Sequence, residues 1–197
     1  HYKGEKFMNK LSIGFAMCGS FCTFSKSIEE MKKLKAKGHD IIPIMSFNAY
    51  KLDTKFGKAK DFRDEIENIC ERKIINTIPE AEPIGPKKML DILLISPCTG
   101  NTLAKLCNAV TDTPVTMAAK SHLRINRPVV ISFASNDALS SSAKNLGKIL
   151  NTKNIYLVPL SQDDPEKKPW SLVSHFDLIE KTIEKAIENT QIQPIFI

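Results

Sequence analysis

Five short apolar runs, at residues 11–17, 40–45, 91–95, 128–133 and 155–159, alternate along this chain with segments whose apolar residues recur at helical spacing. Each run has the length of one strand. A helix between two such strands brings the chain back to the edge where it started, so the strands pair in parallel. The alternation predicts an α/β fold built on a doubly wound, mainly parallel sheet with helices on both faces. With 197 residues, 42% of them hydrophobic, the chain can bury one sizeable core, and a single domain over 1–197 is expected.

The helical segments are uneven in clarity. Ile28, Met31 and Leu34 mark a helix over 25–37 that ends at Gly38, and 58–72 carries Phe62, Ile66 and Ile69 on one face. Residues 74–78 read as a short extended piece. Pro79, Pro83, Gly85 and Pro86 interrupt any regular element in the next stretch, so 49–86 is expected to be largely irregular. Helices are predicted over 102–109, 114–123 and 136–150, then a polar, proline-bearing loop from 161 to 169 and a closing helix over 177–187. The apolar end, 192–197, suits a cover over the core or over a neighbouring protomer.

Charge and cysteine usage narrow the function classes. The formal charge is +6, but lysines and arginines are spread along the chain rather than gathered, which fits solvated helix faces and not nucleic-acid binding. Cys18, Cys22, Cys70, Cys98 and Cys107 form no CxxC pair and no metal-ligand spacing, so they read as reduced thiols and no metal is expected. No apolar run approaches the roughly 20 residues of a membrane span. The first nine residues read as a flexible start or a leftover tag, and the opening six are too charged for a signal peptide, which points to the cytoplasm.

In a doubly wound sheet, ligands sit outside the carboxyl ends of the strands where the strand order reverses. Four loops should reach that edge: 18–24, 46–48, 96–102 and 134–137. None contains GxGxxG or a Walker lysine loop, so neither a dinucleotide nor a triphosphate is indicated. Their small hydroxyl and amide residues suit a mononucleotide or a flavin. Asn101 or Thr102 is expected to open the helix after the third run, leaving backbone donors for an anion.

Gly19-Ser20, Ser46 and Pro97-Cys98-Thr99-Gly100-Asn101-Thr102, followed by Thr111-Asp112-Thr113-Pro114-Val115-Thr116-Met117-Ala118-Ala119, resemble the flavoprotein superfamily of homo-oligomeric flavin-containing cysteine decarboxylases. Ser46-Phe47-Asn48, residues 81–87, Met117-Ala118-Ala119-Lys120, Asn136-Asp137-Ala138-Leu139, Gln162-Asp163-Asp164-Pro165 and Lys168-Pro169 are similar to one branch, the B chains of dipicolinate synthases. The resemblance runs from Leu11 onwards and implies a Rossmann/flavodoxin-like three-layer sandwich. It further implies FMN as a candidate cofactor, or a phosphate in the flavin phosphate site, and a homo-oligomer such as a trimer or a multiple of one. It implies a separate A chain carrying NADP or NAD, with which dihydrodipicolinate is oxidised to pyridine-2,6-dicarboxylate in the mother cell of a sporulating bacterium.

Two departures bear on chemistry. Where the decarboxylases carry a catalytic histidine this chain has Pro83-Ile84-Gly85-Pro86-Lys87, and Phe133-Ala134-Ser135-Asn136-Asp137 replaces their Pro-x-Met-Asn clamp. The family's decarboxylation mechanism is therefore not expected.

The resemblance and the loop positions together nominate Gly19, Ser20, Ser46, Asn48, Pro97, Thr99, Gly100, Asn101, Thr102 and Ser135 as cofactor-binding. A purely structural reading stands beside this for some of them: Gly19 makes a tight turn, and Ser20, Thr23 or Asn101 caps a helix. A ring with two carboxylates needs cations, and Lys87, Lys120 and Arg124 are the candidates, the last two lying four apart on one helical face or at its end. His122 and Asp137 are the titrating groups nominated for proton transfer. Two function classes stay open: a flavin-bearing oxidoreductase component, and a non-flavin binding or scaffolding component that completes the A chain's site.

Overall fold

The computed structural model describes residues 10–197, so the reading of 1–9 lies outside the described residues. A seven-stranded sheet forms the middle layer. Its strands are β1 (Ser12–Met17), β2 (Asp40–Met45), β3 (Ile92–Cys98), β4 (Val129–Ser135), β5 (Ile155–Leu157), β6 (Leu160–Ser161) and β7 (Leu172–Ser174). The order is β2-β1-β3-β4-β7-β6, and β5 pairs with the first half of β4. The pairs among β1 to β5 are parallel, whereas β7 runs antiparallel to the end of β4 and to β6.

Side chains alternate across the sheet, as the two-residue period of a strand requires. Ile13, Phe15, Met17, Ile92 and Leu94 face a layer containing α1 (Phe24–Ala36), α3 (Ala59–Cys70) and α8 (Ile179–Ile187). Ala16, Leu93, Ile95, Val129, Ile131 and Phe133 face α5 (Gly100–Cys107), α6 (Pro114–Leu123) and α7 (Ala143–Leu150). Both faces are covered, which is why these strands read as continuous apolar runs. Each fully buried Ile, Leu or Phe contributes about 1.5–3 kcal/mol relative to exposure.

Several local expectations are corrected. Residues 96–98 continue β3 rather than forming a loop. A register shift between Ile95 and Cys98 accommodates Pro97, which has no N–H to offer a ladder, and the Ser96–Pro97 bond is cis. The segment 49–86 is ordered by short helices, including α2 (Phe47–Lys51) and α4 (Ile78–Ala81), with an isolated bridge between Ile44 and Ile75. Residues 46–48 do not form a loop: Ser46 caps α2, its Oγ accepting from Ala49 N–H at 3.3 Å. The helix expected from 136 begins only at Ala143, because residues 136–142 are turns held by Asp137. Leu160–Ser161 and Leu172–Ser174 are strands within and beyond the expected loop. At the end of the chain Ile192 is buried while Phe196 and Ile197 are exposed, and the segment lies beside Leu160.

Candidate functional site

The chain leaves β1 for β2 on one side and later enters β3 on the other, so the strand order reverses between the carboxyl ends of β1 and β3. The two ends are joined by Cys18 N–H donating to Pro97 C=O at 3.1 Å. Above them lies a pocket of about 380 Å³ lined by Cys18, Gly19, Ser46, Phe47, Asn48, Thr99, Asn101, Thr102, Lys105, Asp112 and Thr113. That volume is within the range of small-molecule sites.

Helix starts crowd this pocket. Thr99, rather than Asn101 or Thr102, caps α5, its Oγ1 accepting from Thr102 N–H at 3.2 Å while its carbonyl accepts from Leu103 N–H at 2.9 Å. That satisfies two of the first four amides of the helix. The N–H groups of Gly100 and Asn101 have no acceptor among the described residues. Thr113 caps α6 in a reciprocal box with Thr116, with Pro114 at the first helical position, and Ser46 caps α2 at the same edge. Three partial positive dipole ends and a set of hydroxyls thus gather where an anion can sit. The donor set fits the phosphate and polyol of a mononucleotide.

Gly100 is required by its surroundings. A Cβ there would stand 2.8 Å from Ser142 Oγ and 2.9 Å from Ser135 Oγ. Both hydroxyls donate to Asp137 Oδ1, at 2.9 and 2.5 Å. This brace lets the loop after β4 close against the start of α5. Beside it, Thr102 Oγ1 donates to Cys18 Sγ, and burial pushes the Cys18 thiol up to about 11, so it stays protonated.

The structure gathers Gly19, Ser46, Asn48, Thr99, Asn101 and Thr102 on the pocket wall. Gly100, Ser135 and Asp137 stand behind that wall. Pro97 is buried within β3, and Ser20 is turned to Thr23, whose Oγ1 donates to the Ser20 carbonyl at 2.8 Å.

Four nominated residues lie elsewhere. The start of α6 touches the pocket, and its ten residues carry the chain about 15 Å away toward the amino end of β4. Lys120, His122 and Arg124 are therefore at the far edge of the sheet, and Lys87 precedes β3 at that same edge. They form no carboxylate cradle with this pocket. Lys87, Lys120 and Arg124 are exposed, whereas His122 is fully buried with neither ring nitrogen hydrogen-bonded. Burial, aided by the Arg127 guanidinium, drives its pKa down to about 4, so it is a neutral core imidazole rather than a proton carrier.

Lys105 and Asp112 were missed by sequence reasoning. Lys105 Nζ donates to Asp112 Oδ1 at 2.7 Å across the pocket rim, and this bond holds the Asp112 carboxyl below its ordinary range. The available signal was the helical spacing of Lys105 four residues after Asn101. Among the described residues, no three His, Cys, Asp or Glu side chains gather as a metal site.

A sequence model of the family described as Flavoprotein matches residues 2–185. The chain is 44% identical over 185 residues, 94% of its own length and 92% of the relative's, to the dipicolinate synthase B chain of Bacillus subtilis (strain 168). The crystal structure of the dipicolinate synthase B chain from Bacillus halodurans C superposes with a TM-score of 0.88 at 39% identity, covering 98% of each chain. A crystal structure of the FMN-dependent cysteine decarboxylase SpaF has a TM-score of 0.66 at 18% identity, over 91% of this chain and 97% of that one, a likeness of fold. The chain belongs to the Flavoprotein family and stands, within it, with the B chains of dipicolinate synthases.

Proposed function

We propose that this chain is the B chain of a dipicolinate synthase and that its pocket holds the phosphate and ribityl end of FMN. The observation that carries the reading is the 44% identity to a dipicolinate synthase B chain over nearly the whole sequence. The convergence of helix starts on the pocket supports it. The reaction removes two electrons and two protons from dihydrodipicolinate, leaving an aromatic pyridine-2,6-dicarboxylate. A bound flavin would supply a two-electron acceptor.

This chain's residues bind and orient. The amide of Asn101 and the hydroxyl of Ser46 would hold the anionic end, while Gly19 and Asn48 shape the opposite wall. The ionisable side chains lining the pocket are Cys18, Lys105 and Asp112; the first is a buried thiol and the other two are paired. The Cys18 thiol is held protonated and the Asp112 carboxylate is tied to Lys105, which favours proton removal by the A chain, together with its NADP or NAD. Asp137 serves as a brace rather than as the base. The substrate-binding role of Lys87, Lys120 and Arg124 requires a second protein chain, either another copy or the A chain, to bring the far edge of the sheet to a site. The setting is the mother cell of a sporulating bacterium; no helix among the described residues is long and apolar enough to cross a membrane.

Reconstitution tests the reading. The A chain alone, this chain alone and both together are supplied with dihydrodipicolinate and oxidised nicotinamide, with and without FMN. Full activity only with both chains, raised by FMN, is expected. Full activity of both chains without FMN, from protein that stays colourless when flavin is added, selects the binding or scaffolding role instead. The A chain alone at full rate overturns a catalytic role for this chain.

A further inference from the structure

We propose that Lys105 is the cation that grips the phosphate in this pocket and that Asp112 holds it in reserve until the anion arrives. The inference rests on reading the pocket as a phosphomonoester site. Lys105 follows Asn101 by four residues, so both lie on one face of α5 along the pocket wall. Side chains of a helix lean toward its N-terminus, so a small swing of the Lys105 side chain away from Asp112 would aim its ammonium at the start of α5, where Asn101 lines the same pocket.

The present partner is a replaceable one. Asp112 Oδ1 accepts from Nζ at 2.7 Å, but its side chain is 59% exposed against 23% for Lys105. An ion pair with so wet a carboxylate is weak. A phosphomonoester brings nearly two charges and three acceptor oxygens to a lysine that is already largely withdrawn from water. Among the described residues, Lys105 is the one cationic side chain lining the pocket, so an entering anion has this ammonium to pair with.

The test is titration of the full chain with FMN and, separately, with riboflavin, which lacks the phosphate, read by quenching of flavin fluorescence. Lys105→Gln should weaken FMN binding about tenfold, the loss of one charge-assisted hydrogen bond, and flatten its salt dependence, while riboflavin binding stays unchanged. Asp112→Asn should tighten FMN about threefold by freeing the lysine. Lys105→Arg should stay within about threefold of the parent. Opposite signs for the two partners separate a gripping cation from a mere tie between α5 and the turn before α6. Weakening by both Lys105→Gln and Asp112→Asn, or equal loss of riboflavin and FMN, overturns the assignment alone. Parent protein that binds neither FMN nor inorganic phosphate overturns the pocket reading, and the role of Lys105 with it.

Discussion

Thr102 Oγ1 donates a hydrogen bond to Cys18 Sγ at 3.2 Å, fastening the start of α5 to the end of β1. The same hydroxyl accepts from Thr99 Oγ1 at 3.2 Å. One buried threonine therefore couples the helix cap to the strand that forms the opposite pocket wall.

Thr102→Val keeps the shape and deletes that link. Thr99 loses an acceptor, and a destabilisation of about 1 kcal/mol is expected, or a fall of about 2–4 °C in Tm for a chain of this size. Weaker flavin binding should accompany it. Urea denaturation checks the first and fluorescence titration the second; an unchanged midpoint would show that the coupling contributes nothing.

Gly100→Ala forces a methyl against Ser135 and Ser142, both committed to Asp137. Overpacking of this kind costs about 1–3 kcal/mol. Because the displaced atoms lie behind the pocket wall, FMN affinity should fall along with Tm. A variant with parental melting and affinity would mean that the brace yields freely.

Asp137→Asn separates brace from base. The amide oxygen can still accept both serine hydroxyls, so reconstituted activity within about twofold of the parent is expected, whereas loss of a general base costs about 10²–10⁴-fold. Asp137→Ala, which strands two hydroxyl donors, should lower stability by about 1–3 kcal/mol. A collapse in activity with unchanged stability in Asp137→Asn would restore Asp137 as a proton carrier.

His122 makes the fold acid-sensitive. Its folded pKa, near 4, lies below the unfolded value of about 6.5. The unfolded chain therefore takes up a proton first as pH falls. The stability associated with the neutral ring is complete above about pH 6.5 and is lost progressively toward pH 4, a slope of up to about 1.4 kcal/mol per pH unit. His39, whose Nδ1 accepts from Leu11 N–H and whose pKa burial also lowers, acts in the same direction. His122→Phe should flatten the dependence of urea midpoint on pH between 4 and 6.5. An equally steep dependence in that variant would assign the effect to other groups.

Much of this was legible from pattern. β2 and α6 have the bounds that the apolar run and the Thr113-Pro114 start give them. The loop chemistry at Gly19, Ser46 and residues 99–102 converged where strand order requires. Ser96-Pro97-Cys98 was misread because small residues around a proline look like a loop, while a register shift lets the strand continue. β6 and β7 span two and three residues, too short for any periodicity to declare itself. That Lys120, His122 and Arg124 lie away from the pocket is a matter of direction. Periodicity tells which face of a helix a residue occupies, and only the following strand tells which edge of the sheet the helix is running toward. α6 feeds β4, so its last turn had to lie at the amino edge.

The pocket wall draws on residues from Cys18 to Thr113, nearly half the chain. Its parts meet only once β1 and β3 have paired, so the complete site belongs to the assembled sheet. A ligand that recognises it acts on the finished fold alone. Flavin should therefore prolong the lifetime of the native protein by slowing its unfolding, while leaving the rate at which the chain folds unchanged.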